Sequence, residues 1–208
     1  MFSSQTYVER RKKLKEIIKS GLIFFPGNDY TPMNYPANVL RYRQDSSFLY
    51  YFGLDKAGLN AVIDVDNNKD IIFGDDRSLD DVVWMGPAPT LAEEAKEVGV
   101  EFTMSSNNLA EYLTKGNREV HFLPQYRADN QLKIESLLGI KTSEIKEKVS
   151  LPLVRAVIEQ RSIKSAEEVA EIEKALDISF EMNTLAMKLT RSGLLEREIY
   201  GWIEGTAL

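Results

Sequence analysis

An α/β domain, a mixed sheet flanked by helices, is what the sequence predicts. Three observations predict it: short apolar runs bounded by turn residues, capped amphipathic stretches alternating with them, and one hairpin-type pair of strands. Ser3 or Ser4 can cap a first helix ended by Gly21, with Tyr7, Leu14, Ile17 and Ile18 on its buried side. LIFFP, Leu22 to Pro26, reads as a short, fully buried strand. Residues 27 to 46 carry Pro32, Pro36, Gly27, Asn28, Asn34 and Asn38 without periodicity, and loops of that length in compact domains tend to be functional. Phe48 to Phe52 is rich in aromatics. Asn60–Val65 and Asp70–Phe73 form two strands joined by the turn-forming residues Asp66 to Lys69. Thr90 and Glu93 have the capping-box spacing of a helix closed by Gly99, and a strand follows from Val100 to Thr103. The alternation recurs: a helix from Ser106 to near Gly116, a strand from Glu119 to Leu123, and a helix from Asp129 to Leu138 stopped by Gly139.

Residues 140 to 164 begin polar, carry Pro152, and then resume a helical rhythm, which puts a domain boundary between 155 and 163. The division expected is a domain over 1–160 and a second piece over 161–208. Ser165 and Glu168 form another capping box ahead of Val169, Ile172, Leu176, Phe180, Ala186 and Leu189 at helical spacing, ended by Gly193. A further helix starts near Leu194 and meets no stop signal before Leu208, as expected of an excised fragment.

The bulk numbers narrow the function. With 208 residues, 43% hydrophobic and 28% charged, the chain has the composition of an ordinary globular protein. A formal charge of -6 works against affinity for nucleic acid, which depends on Lys and Arg displacing condensed cations. The basic run Arg10 to Lys19 falls in the first helical pattern and reads as its solvated face. Cysteine is absent, which removes disulfides, thiolate nucleophiles and Cys-rich zinc sites and fits a reducing compartment. No apolar run of signal-peptide or membrane-span length occurs, so the expected location is cytoplasmic, away from membranes.

Candidate chemistry is sparse. The single histidine, His121, lies in the strand EVHFL, where a structural role is favoured over a catalytic or ligand role. Acidic residues pair at Asp64 and Asp66, Asp75 and Asp76, and Asp80 and Asp81. A calcium loop opening at Asp64 would need glycine at Lys69 and glutamate at Asp75, so solvated turns are expected instead. No GxGxxG, GxxxxGK[ST] or GxSxG segment is present. Gly86 to Pro89 make a stiff turn beside Trp84, which either presents the ring to a partner or pocket or leaves it packed on its own sheet.

Asn34 to Val65, NYPANVLRYRQDSSFLYYFGLDKAGLNAVIDV, resembles the signature of the creatinase/prolidase-type amino-terminal domain of aminopeptidase P, approximately YPxRQxSDFxYLTGFxEPxAVLVL. Tyr42, Arg43, Gln44, Asp45, Ser46, Phe48, Tyr50 and Gly53 fall in register. VVWMGPAP is similar to the family's tryptophan-glycine segment, and RSIKSAEEVAEIEKALDIS to the junction that opens its catalytic domain. Two departures stand out: an insertion separates Tyr35 and Pro36 from Arg43, and LDKAG replaces the acidic-proline step.

The resemblance implies a three-layer α/β sandwich with a ribonuclease H-like mixed sheet, followed by the first helices of a "pita-bread" catalytic domain. It implies a parent Xaa-Pro aminopeptidase using two divalent metals, commonly manganese, whose Asp, Asp, His, Glu and Glu ligands lie past Leu208. The fragment is expected to bind no catalytic metals and to have no peptidase activity alone. Its implied partners are further copies of itself, as dimer or tetramer, and, for the parent, proline-containing peptides. Trp84 is the substrate-gating candidate. Tyr42, Arg43, Gln44 and Asp45 are loop-fixing or interface candidates, with an Arg43–Asp45 ion pair the favoured arrangement. Rival readings are a peptidase-like peptide-binding module without catalysis, as in some histone chaperones, or a prolidase or creatinase relative. The RQDSSF segment looks most like aminopeptidase P.

Overall fold

A computed structural model describes residues 2–208. The chain divides into two compact units, one ending at Gln160 and one running Arg161–Leu208. In the first, a five-stranded mixed sheet has the order β4-β3-β2-β1-β5. Its strands are β1 (Leu22–Pro26), β2 (Asn60–Asp64), β3 (Lys69–Phe73), β4 (Phe102–Met104) and β5 (Val120–Phe122). β1, β2 and β3 pair antiparallel in sequence, while β5 joins β1 and β4 joins β3 in parallel. The helices of this unit are α1 (Ser4–Ile18), α2 (Ser46–Phe52), α3 (Leu79–Met85), α4 (Leu91–Glu97), α5 (Leu109–Thr114), α6 (Ala128–Leu138), α7 (Ile145–Lys148) and α8 (Leu151–Ser162).

Alternation along the strands builds a core on each face, because successive side chains of a strand point to opposite sides. Ile23, Phe25, Ala61, Ile63 and Ile72 meet Tyr7 and Leu14 of α1, the aromatics of α2, Leu91 and Ala95 of α4, and Leu153 and Val157 of α8. Leu22, Phe24, Val62, Ile71, Phe73 and Phe122 meet Leu109 and Leu113 of α5, Ile134 of α6 and Ile145 of α7. The result is the three-layer α/β sandwich. Each large apolar side chain so enclosed contributes about 1.5 to 3 kcal/mol.

Two ion pairs pin the layers. On the α1 side, the Arg11 guanidinium is fully enclosed; it meets Asp70 at 2.9 Å and donates to the carbonyls of Tyr51, Val98 and Gly99. Burial lowers its pKa from the usual arginine range, and Asp70 opposes that shift. On the other side, Asp64 is 0% exposed, which corrects the expectation of a solvated turn. It accepts from Arg118 at 2.9 Å, from the Tyr112 hydroxyl at 2.5 Å and from Asn67. Burial pushes its pKa up, but the hydrogen bonds from Arg118, Tyr112 and Asn67 outweigh it and hold the carboxyl below the usual range. Burial and Asp64 together push Tyr112 up to about 12.

The second unit contains α9 (Ala166–Leu189), opened by the Ser165 and Glu168 capping box, and α10 (Glu196–Ala207), which packs on it. Neither helix has a buried residue.

Candidate functional site

The segment Tyr42-Arg43-Gln44-Asp45 closes the long loop ahead of α2, and its side chains build a clasp. Gln44 is buried: its Oε1 accepts from the Asn28 N–H at 2.7 Å and the Asp45 N–H at 2.8 Å, and its Nε2 donates to the Lys56 carbonyl at 2.8 Å. Asn28 Nδ2 donates to the Arg43 carbonyl at 2.9 Å, and Asn28 Oδ1 accepts from Asn130 of α6. The Tyr42 hydroxyl donates to the Asn28 carbonyl at 3.3 Å; burial, helped by Asp55 and Asp29, raises its pKa well above the ordinary phenol value.

Asp45 caps α2, its Oδ1 accepting from Ser47 N at 2.8 Å and Phe48 N at 3.0 Å. That cap makes Phe48–Phe52 helical, so Phe48, Tyr51 and Phe52 face the core. Among the described residues no Arg43–Asp45 ion pair forms. The Asp45 carboxylate is aimed at the helix N–H groups, and Arg43 enters the clasp through its carbonyl.

The long loop folds back on itself across the insertion, with Leu40 N donating to Thr31 O at 2.9 Å and Met33 N to Asn38 O at 2.7 Å. It leaves Tyr30, Met33, Tyr35 and Leu40 exposed. Arg127 ties its base through the Asp29 carbonyl, Thr31 Oγ1 and Asp129.

A second exposed feature is the segment 75–90, which carries α3. Asp80 and Asp81 were expected in a solvated turn; instead Ser78 and Asp81 form a capping box that starts this helix. No residue of α3 is buried, and Trp84 is 85% exposed, which rules out packing on its own sheet. Leu79, Val83 and Met85 are exposed with it. The clasp and the tryptophan are separate features, one holding the loop and one facing outward.

His121 is buried in β5 with Nδ1 2.8 Å from Ser150 Oγ and Glu119 3.8 Å away. Its Nε2 is enclosed without a hydrogen-bond partner, and the Ser150 contact ties β5 to the start of α8, where the same hydroxyl accepts from Leu153 N. Among the described residues no group of three or more His, Cys, Asp or Glu side chains is placed to hold a metal ion, so the residues present do not fit a dinuclear metal centre.

Residues 7–121 match the family of the aminopeptidase P N-terminal domain, more than half of the chain, and the chain belongs to that family. It is 25% identical to the Xaa-Pro aminopeptidase of Escherichia coli K12, over 97% of this chain and 48% of that protein. It is 24% identical to the Xaa-Pro dipeptidase of Homo sapiens, over 96% of this chain and 41% of that one. Among solved structures, the low-pH form of E. coli aminopeptidase P superposes with a TM-score of 0.79 at 22% identity, covering 99% of this chain and 49% of that chain. A zinc-substituted form of the same enzyme with product gives the same values. The chain thus spans less than half the length of these relatives, and the structural match shows the shared fold.

Proposed function

We propose that this chain is the amino-terminal, non-catalytic part of a metal-dependent Xaa-Pro aminopeptidase that removes an N-terminal residue preceding proline. One observation carries the reading: nearly the whole chain aligns with an Xaa-Pro aminopeptidase while covering only 48% of it. In this reading residues 1–160 form the N-terminal domain, and residues 161–208 are the linker and first helices of a pita-bread catalytic domain. Two divalent ions, manganese in the cytoplasm, would supply an activated water on ligands contributed by the longer protein. The zinc-substituted E. coli structure supports metal dependence for that relative. No side chain described here is assigned a part in bond cleavage.

The domain's own work is assembly and gating. Trp84 suits gating because a large exposed aromatic on a short helix can face a neighbouring copy or a peptide at low entropic cost. Tyr42, Arg43, Gln44 and Asp45 suit loop fixing, since the clasp holds the loop against α2 and α6. A prolidase-type reading is favoured by the Homo sapiens dipeptidase match, and substrate length separates the two.

The test compares the full-length gene product with the 208-residue chain on peptides with proline second. The longer protein is expected to release the first residue and the short chain to release none. Trp84→Ala in the longer protein is expected to raise KM several-fold, about 1 kcal/mol of binding, with kcat little changed. Cleavage by the 208-residue chain overturns the proposal, and dipeptide-only cleavage by the longer protein replaces it with the prolidase reading.

A further inference from the structure

Segment 75–90 stands between two buried residues, Gly74 and Leu91, and no residue within it is buried. Its two ends leave and re-enter the domain at one point, since a Cβ placed on Gly74 would lie 3.4 Å from Leu91 Cδ2. Within the segment the polar contacts close on themselves. Arg77 donates to the carbonyls of Met85 at 3.3 Å and Gly86 at 2.8 Å, and Ser78 and Asp81 cap each other across the first turn. The segment is therefore an arm with its own internal bracing.

Two adjacent aspartates tie it down. Asp75 Oδ1 accepts from Ser105 Oγ at 2.7 Å, just past β4, and Asp76 Oδ1 accepts from the Leu91 N–H at 2.6 Å, at the first turn of α4. One anchor reaches the residue that follows the neighbouring strand β4, and the other reaches the helix at the arm's return. The hydrogen bonds from Ser105 and Ser106 also hold the Asp75 carboxyl below its usual range, so the anchor is ionised at neutral pH.

The geometry points to Asp75 and Asp76 as positioning residues: a two-point clasp that fixes the direction of the arm and so determines where Trp84 is presented. This deepens the gating reading of Trp84 and rests on it. With one anchor the arm can pivot about the other; with both it has a single orientation, and the exposed face of Leu79, Val83, Trp84 and Met85 is pre-organised for what it meets.

The experiment reads the motion of Trp84 in the 208-residue chain. The sequence has two tryptophans, so Trp202→Phe leaves Trp84 as the sole indole. In that background Asp75→Ala with Asp76→Ala is expected to raise the nanosecond share of the Trp84 anisotropy decay roughly twofold, on the timescale of loop motion. Asp76→Asn keeps a carbonyl oxygen for the Leu91 N–H and is expected to behave as the parent does. Ser105→Ala, which removes the partner hydroxyl, is a second and independent way to loosen the first anchor and is expected to raise the nanosecond share less. Thermal unfolding read alongside separates a freed arm from a damaged domain. An unchanged decay in both the double alanine variant and Ser105→Ala overturns the clasp. Because no peptide is involved, that outcome is distinct from failure of the gating reading, which falls only to the peptidase test.

Discussion

Two stretches of this chain start helices with the same local signal and use it differently. Thr90 and Glu93 open α4, and Ser165 and Glu168 open α9, each with both capping-box hydrogen bonds made. α4 then buries Leu91 and Ala95 against the sheet, whereas the longer α9 buries nothing. A capping box fixes where a helix begins, at about 1 kcal/mol per cap. The stability of the element comes from the face it encloses. The unit ending at Gln160 has such enclosure on both faces of its sheet; the Arg161–Leu208 unit holds only the half-buried contacts of α9 with α10.

The largest effect is expected at Arg11. Arg11→Ala leaves Asp70 with Lys15 at 3.2 Å as its remaining cation and takes the donor from the carbonyls of Tyr51, Val98 and Gly99, the first two in buried contacts, which costs about 3 kcal/mol. Urea unfolding followed through the sheet signal measures it. A loss under about 1 kcal/mol would mean that the enclosure of the first unit does not depend on this pair.

Asp64→Asn comes next, at about 1 to 3 kcal/mol at neutral pH, because the amide keeps the shape and loses the charge-assisted bonds from Arg118. Its folded pKa is depressed, so the stabilisation is complete above the unfolded value of about 3.9 and disappears as pH falls through the lower folded value. The gap between wild type and Asp64→Asn should therefore narrow as pH is lowered from 7 towards 2. A gap that stays constant would show that the cost comes from the amide group itself and not from loss of the carboxylate charge.

These two residues also mark what the sequence makes legible. The buried strand Leu22–Pro26, the β2–β3 hairpin and the capping boxes at Thr90 and Ser165 are local patterns, and each appears as read. Asp64 looks like a turn residue beside Asp66, because its partners Tyr112 and Arg118 lie far along the chain and only the fold brings them together. The helix at Phe48–Phe52 follows from Asp45 two residues ahead of Ser47, a capping signal easily lost behind the aromatic composition. Ser78 and Asp81 likewise have capping-box spacing, yet the Gly-Pro-rich stretch after Trp84 suggests only a turn. The clasp around Gln44 was legible as a motif and not as a network, since Asn28 and Asn130 are named by no pattern.

The smallest effect on stability, and the sharpest probe of the second unit, is expected on α9. Leu176 and Phe180 are exposed, Phe180 by 71%, and lie on one helical stripe with Val169 and Ile172. An apolar stripe of that kind in water favours a second apolar surface, and in a solution of this chain alone the available one belongs to another copy. The double change Leu176→Glu with Phe180→Glu should shift the unfolding midpoint of the first unit by no more than about 0.5 kcal/mol, the range of exposed substitutions. The same change should reduce self-association measured by sedimentation at high concentration. If the wild-type chain is strictly monomeric there, the stripe is not an assembly surface between copies. If the charged variant instead lowers the stability of the sheet, α9 contributes to the first unit and the contrast between the two stretches fails at its root.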